Sequence, residues 1–588
     1  MSEATPPRST LPRRPLAWLR RRLRSSEIWF IALAVVVGAA AGLLSVFQDL
    51  IAHRLQSHLY GFAIDDRLSA LPRISPIALL WLPAGGLVLG GLTWVMAKWR
   101  PLQLIDVVEA NALYGGVLSF RDSFVVCVQT LISNGFGASV GLEAAYAQGG
   151  GAIASGLGQR LKLRRQDLRT LVGAGSGAAI GAAFGAPLTG AFYAFEIVIG
   201  SYAPSMIAPV AAAALASVLV ARLMGAAPYS IQIVVFEAPR AFDYLLYAGL
   251  GVVCAVVGIA IMRLVGTAER LVRLTPIPTW MRPAVGGGLL AGLAYLSPQT
   301  LSSGHGALHA DLATSLGLGA LAAILLLKTG ASVISLGFGF RGGLFFASLF
   351  LGSLVGQIYA RLVEITGLPL LLQPENAALV GMGALAVAIV GGPLTMSFLV
   401  LETTRDFGVS AATLAASLIA STVVRERFGY SFSTWRLHLR GETIRSARDV
   451  GWIRTLTAGR MMRADTATIA ASATLAEFRR RFPLGSTSRV ILLDDAQRYA
   501  GIVVTSSAYL EGPGDDSPVS TLATGADVVL SADMNIEQVM QTFDRTETEE
   551  LAVTDDSGQV LGLLAEVYVA RRYAKELEKV QQGLFGEG

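Results

Sequence analysis

Five ionisable side chains stand inside otherwise apolar sequence: Glu143, Glu196, Lys328, Arg341 and Glu402. Charge is expensive to bury in hydrocarbon, so each must be paired within the structure or take part in moving a charge. Glu196 and Glu402 end apolar segments beside basic loops, where a helix cap or structural ion pair accounts for them. Lys328 and Arg341 admit either role. Glu143 differs in its setting, Gly135-Phe136-Gly137-Ala138-Ser139-Val140-Gly141-Leu142-Glu143-Ala144-Ala145. A glycine-rich break precedes a helix start, and the glutamate stands at the break. Unbonded amides at a helix start attract an anion. An ionised carboxylate can fill that place itself, and leave it when protonated.

The second half carries a parallel break, Gly337-Phe338-Gly339-Phe340-Arg341-Gly342-Gly343-Leu344-Phe345-Phe346-Ala347. Two broken helices aiming their amino ends at one point create a positive site without fixed cations. Such a site suits a small anion that must bind and then leave. The stretch Gly137-Ala138-Ser139-Val140-Gly141 also matches G-x-S-x-G, but a nucleophilic serine needs a base. His305 and His309 fall in a polar loop, and His53, His58 and His438 flank apolar runs, so a serine hydrolase is set aside and no enzymatic activity is expected. The histidines show no metal spacing. Cys127 and Cys254 are too few for a disulfide framework or a zinc site. No metal and no resident cofactor are expected.

These residues need elements to hold them, and composition says which kind. The chain has 588 residues, 53% hydrophobic and 15% charged, against about 25% charged in soluble proteins, and its mean hydropathy is +0.55. A disordered chain is excluded and a fully soluble one disfavoured. The net charge of +5 sits in clusters between apolar runs, the positive-inside pattern, and implies no nucleic-acid partner. Residues 1–26 carry seven arginines against Glu3 and read as a basic cytoplasmic tail, not a cleaved leader. Long spans are expected near 28–50, 76–98, 122–140, 205–224, 241–265, 282–297, 311–330 and 410–425. Shorter, glycine-interrupted stretches fall near 104–114, 145–158, 170–183, 187–200, 345–365, 376–390 and 393–404. Broken segments at membrane depth are tolerated where buried in protein or lining a cavity, which points to a transporter or pore. The basic loops at 160–169 and 425–440 should be cytoplasmic, with both termini.

Two repeats are visible. Val172-Gly173 leads to Ala186-Pro187-Leu188-Thr189 and Glu196, and Val380-Gly381 leads to Gly392-Pro393-Leu394-Thr395 and Glu402, with the same proline-to-glutamate spacing. After about residue 440 charges become frequent. There, Val490–Asp495 before Gly501 and Leu551–Asp556 before Gly562 each read as strand, turn and strand after a helix, a tandem α/β module.

Together these residues resemble the chloride channel (CLC) family of anion channels and anion/proton antiporters. The family's gating motif is matched by Gly141-Leu142-Glu143-Ala144-Ala145 and its opposite-half motif by Gly343-Leu344-Phe345-Phe346-Ala347. The resemblance implies an all-α polytopic membrane protein with an inverted internal repeat and broken helices over 27–440. It implies a homodimer in the bilayer with contacts from 187–224 and 393–425, chloride or another small anion as transported ligand, and Glu143 as gate. Anion contacts would come from the Leu344 and Phe345 amides and the Tyr430 hydroxyl of Gly429-Tyr430-Ser431. Three departures stand out. The family's first filter serine is absent, leaving Gln103 as the nearest donor. The gating motif's arginine is Leu142, so Arg341, with Lys328, would supply positive potential. The proton-route glutamate of the family's antiporters is Ile197, which favours a voltage-gated-type channel over an antiporter. A non-transporting sensor is the remaining alternative. After a linker at 441–455, the tail resembles a pair of cystathionine-β-synthase (CBS) domains, 456–512 and 516–580. Such pairs can bind adenine nucleotides, although the usual ribose-binding aspartate is not evident here.

Overall fold

The computed structural model describes residues 26–99, 104–226, 242–314, 316–366, 372–439, 456–510 and 514–572, with Arg20, Arg22 and Arg240. The basic tail, Gln103, the 441–455 linker and the end of the second C-terminal copy lie outside the described residues or nearly so. The chain divides into two compact units, Met1–Asp449 and Val450–Gly588.

Among the described residues the regular elements of the first unit are helices. Its first half comprises α1 (Glu27–Tyr60), α2 (Trp81–Trp99), α3 (Val107–Leu113), α4 (Phe120–Gly135), α5 (Glu143–Arg160), α6 (Arg165–Phe184), α7 (Pro187–Tyr193), a π-helical turn (Ala194–Ile199) and α8 (Pro204–Leu223). The second half comprises α9 (Asp243–Leu274), α10 (Arg282–Leu296), α11 (His305–Leu312), α12 (Leu318–Gly337), α13 (Phe345–Ile365), α14 (Pro374–Val390), α15 (Pro393–Thr404), α16 (Phe407–Arg427) and α17 (Phe432–His438). Among the described residues seven helices are long and apolar enough to cross a membrane.

Three spans differ from expectation. The 122–140 span ends at Gly135, because Gly137 takes a φ of +90° that turns the chain out of the helix. The 345–365 stretch is one continuous helix of 21 residues. The 311–330 span begins only at Leu318, and the short α11 before it places His305 and His309 on a helix instead of a polar loop.

The repeat is written in close glycine crossings. A Cβ on Gly150 would lie 2.2 Å from the Gly175 carbonyl oxygen, and one on Gly352 would lie 2.3 Å from that of Gly381. Helices α5 and α6 therefore cross as α13 and α14 do, backbone on backbone, which only a residue without a side chain allows. Gly175 is thus the counterpart of Gly381, two residues beyond the Val172-Gly173 pair that sequence similarity suggests. The Pro-Leu-Thr segments are cross-linked. The Glu402 carboxylate accepts the backbone N–H groups of Leu188 (2.9 Å) and Thr189 (2.8 Å) and the Thr189 hydroxyl (2.7 Å). Glu196 does the same for Leu394 (3.1 Å), Thr395 (2.8 Å) and the Thr395 hydroxyl (2.7 Å). Each glutamate satisfies the open amides at the start of the other half's proline-led helix, so both have structural work.

The second unit is two copies of one α/β pattern. The first holds β1 (Thr468–Ala470), α18 (Leu475–Arg481), β2 (Arg489–Leu493) and β3 (Tyr499–Val504). The second holds β4 (Leu530–Ser531), α19 (Ile536–Thr546), β5 (Glu550–Thr554) and β6 (Val560–Ala565). In each sheet the outer strand runs parallel to the middle one, and the hairpin is antiparallel with a register shift at its end. Ile491, Ile502, Ala552 and Leu563 form a core shared by both copies.

Candidate functional site

The two glycine breaks meet. Gly141 donates its N–H to the Gly343 carbonyl at 2.9 Å, and Gly343 donates back at 3.3 Å. Helix α5 starts two residues after the first glycine and α13 two residues after the second. Both amino ends therefore lie at one junction, and their open amides and dipoles favour negative charge there.

Glu143 fills the junction. It is buried, at 4% exposure. The backbone N–H of Phe346 reaches its carboxylate, while Oε2 has no hydrogen-bond partner. The carboxylate folds back over Gly141 so closely that a Cβ there would lie 1.8 Å from Oε2. Gly343 stands on the other side, its Cβ position 3.6 Å from the same oxygen.

Two cavities adjoin this point, and a third shares lining residues with the second. The first, of about 520 Å³, is lined by Glu143 with Asp49, Arg67, Tyr146, His305 and Ser302, among others. The second, a central cavity of about 100 Å³, is lined by Glu143, Leu344, Phe345, Asp106, Glu109, Tyr193, Phe432, Ser433 and Arg436, among others. The third, of about 210 Å³, holds Glu196, Ile197, Arg425 and Tyr430. Among the described residues Glu143 alone lines both the first and the second.

The structure brings Glu143, Leu344 and Phe345 together and separates the other expected contacts. Tyr430 lines the third cavity, not the central one. Its hydroxyl lies 3.2 Å from His438 Nδ1, and its ring stacks on His438 and leans on Trp435. The reason is helix register: α17 begins at Phe432, capped by Ser431 in a reciprocal bond with Thr434. The face one turn long that meets the central cavity is Phe432, Ser433, Arg436 and Leu437. Lys328 lines none of the three cavities; its buried Nζ donates to the carbonyls of Thr300 (3.2 Å), Leu301 (3.4 Å) and Ser302 (2.7 Å) and pins that loop. Arg341 lines none of them either, and its backbone N–H donates to the Ser133 hydroxyl at 2.9 Å. Gln103 lies outside the described residues. Ile197 presents an apolar side chain to the third cavity beside Glu196. Ser139 Oγ lies 3.1 Å from the Ser332 hydroxyl, and its backbone N–H donates to the Ser335 hydroxyl at 3.0 Å.

Sequence reasoning missed Ser433, Arg436, Asp106 and Glu109. Arg436 falls within the basic 425–440 stretch, yet its spacing of three from Ser433 puts both on one helical face. Asp106 has a second duty, accepting the Val108 N–H at 2.8 Å as the cap of α3.

A duplicated membrane fold with paired broken helices around a buried carboxylate defines an ion-transport protein of the inverted-repeat class. The family model of the voltage-gated chloride channel matches residues 85–425, and the chain belongs to that family, the CLC proteins. A putative ClcB-like chloride channel protein of Ralstonia nicotianae is 31% identical over 393 residues, covering 64% of this chain and 90% of its own length. Two solved structures share the fold. A slow cyanobacterial Cl⁻/H⁺ antiporter has 22% identity and a TM-score of 0.59, covering 70% of this chain and 97% of its own. A eukaryotic CLC transporter has 18% identity and a TM-score of 0.60, covering 94% and 98%.

Proposed function

We propose that the protein is a channel, not an enzyme, that passes chloride or a similar small anion across a membrane, with Glu143 as its gate. The observation that carries this reading is that the Glu143 carboxylate alone lines both the first and the central cavity, at the meeting of two helix amino ends. With the carboxylate in place, it occupies the position an anion needs. When it leaves, the amides of the α13 start, Leu344 and Phe345 included, are free to receive the anion. Ile197 supports a channel, because no proton can be held there. The basic loops support cytoplasmic termini. The exposed Leu215, Leu219 and Leu418 on α8 and α16 support a homodimer through those helices. The two copies of the second unit are proposed to be a regulatory CBS pair, with an adenine nucleotide as the ligand to test.

The test is anion efflux from liposomes. Glu143→Gln should raise chloride efflux several-fold and leave it insensitive to voltage, without uphill proton movement. If the wild-type chain drives protons uphill, the second reading, anion/proton antiport, replaces the first; Asp106 and Glu109 on the central cavity favour that alternative. If neither form passes chloride, permeation itself is refuted.

A further inference from the structure

Two buried serines, Ser69 and Ser302, line the first cavity with their protons unspent. A hydroxyl accepts through two lone pairs and donates through one hydrogen. Ser69 Oγ, on a short turn at Leu68–Ala70, accepts the N–H groups of Gly306 (3.1 Å) and Ala307 (3.2 Å) in the first turn of α11. Ser302 Oγ faces two side-chain amide nitrogens, Gln56 Nε2 and Asn134 Nδ2, each at 3.2 Å. The backbone fixes which way these amides point. Gln56 Nε2 donates to the Asn134 carbonyl (2.8 Å), and Asn134 Nδ2 donates to that of Val140 (2.8 Å). Neither nitrogen can accept, so the Ser302 proton points away from both. The one bond left to each serine is a donated bond, and the open space that both line is the first cavity.

Ser302 is held there under strain. Its φ is +53°, in the left-handed region that serine seldom adopts. Its N–H donates to the Gly137 carbonyl at 3.0 Å, and its own carbonyl accepts from Lys328 Nζ at 2.7 Å. A buried lysine, a glycine break and two amides therefore converge on one residue and aim one hydroxyl. Strain of this kind persists where the surroundings over-determine it, and it gathers at functional sites. Arg67 and Asp49, on the same cavity, lie 4.0 Å apart and offset one another. Donated hydrogen bonds, more than net charge, are what this cavity offers.

We propose that Ser302 and Ser69 form a further small-anion subsite in the first cavity, apart from the junction that Glu143 fills and from the Leu344 and Phe345 amides. That its ligand is a permeating anion rests on the reading above; the two unspent donors do not. Neutral dipoles hold an anion weakly enough for it to leave again. The subsite keeps an anion on the same cavity as Glu143 while the carboxylate is still in place.

The experiment uses crystals of the full chain soaked in bromide, whose anomalous signal marks its position. The wild-type chain should show a peak in contact with the Ser302 hydroxyl. Ser302→Gly should lose that peak and keep the fold, because glycine adopts a positive φ without strain. In liposomes Ser302→Gly and Ser302→Ala should each raise the chloride concentration that half-saturates flux by roughly tenfold, one hydrogen bond to a charged group. No peak beside Ser302, or one that Ser302→Gly leaves unchanged, refutes the subsite. A peak that Ser302→Gly removes while half-saturation stays within about twofold marks an adventitious ion only, and refutes it as well. If bromide sits beside Ser302 but Glu143→Gln passes no chloride, permeation falls and the anion site stands.

Discussion

The two halves of the membrane unit agree wherever a residue holds the fold and differ where the passage lies. Gly150 on Gly175 matches Gly352 on Gly381, and Glu196 capping α15 matches Glu402 capping α7. The breaks match as well, down to glycines with positive φ at 137 and 339. At the first position of the following helix the match ends, with Glu143 in one half and Phe345 in the other. The repeat places two amino ends at one junction. One end carries its own carboxylate and the other does not, and that asymmetry is what the proposed gate rests on.

The largest test of that asymmetry compares two alanines. A Cβ at Gly141 would collide with the Glu143 carboxylate, whereas a Cβ at Gly343 meets nothing nearer than that carboxylate at 3.6 Å. Gly141 has no positive φ, so relief comes from the flexible end of Glu143. Gly141→Ala should therefore raise chloride efflux several-fold, approaching Glu143→Gln, if the expelled carboxylate gives up about one hydrogen bond's worth of hold. Gly343→Ala should stay within about twofold by the same reckoning. Equal effects from the two would remove the distinction between the halves.

A smaller effect tests their likeness. Glu196→Gln and Glu402→Gln each weaken three charge-assisted hydrogen bonds at a half-buried helix start. Each should destabilise the detergent-solubilised protein by about 1–2 kcal/mol. Their thermal midpoints should fall together; a fall for one alone would show that one cap is not structural.

The smallest effect falls in the second unit, where the copies hold matching turns by unlike means. Bonds from Arg498, its backbone N–H foremost, keep the Asp494 carboxyl below the usual carboxylate range, and the Ser557 hydroxyl is foremost in doing so for Asp555. A carboxyl depressed in the folded state stabilises above its unfolded pKa and loses that contribution as pH falls. Thermal unfolding of the full chain should therefore show a modest loss below about pH 4 that Asp494→Asn and Asp555→Asn each reduce. Ser557→Ala should reduce the loss in the second copy only.

The family, the broken helices and the placing of Glu143 at the break are legible because glycine breaks leave a pattern that few other constraints produce. Tyr430 lies on the third cavity and not the central one because the register of α17 depends on where its cap falls. Gly429-Tyr430-Ser431 looks like a helix entry, yet the capping box moves the entry past Tyr430 and turns Ser433 inward. Lys328 illustrates a different limit. A buried lysine signals a strong local demand, but sequence does not say whether an anion or three backbone carbonyls supply it. Ser433 and Arg436 were out of reach for a related reason: a cavity wall made of helix ends from distant parts of the chain leaves no local motif.

The reciprocal glutamates have a mechanical consequence. Three hydrogen bonds tie the proline-led helix of each repeat to the other repeat, and two more join the glycine breaks. Rocking one repeat against the other, the usual route by which duplicated carriers expose a site to alternate sides, would strain this stitching. Rotation of the Glu143 side chain breaks none of these bonds. A gate made of the Glu143 side chain would therefore work inside a frame that stays fixed.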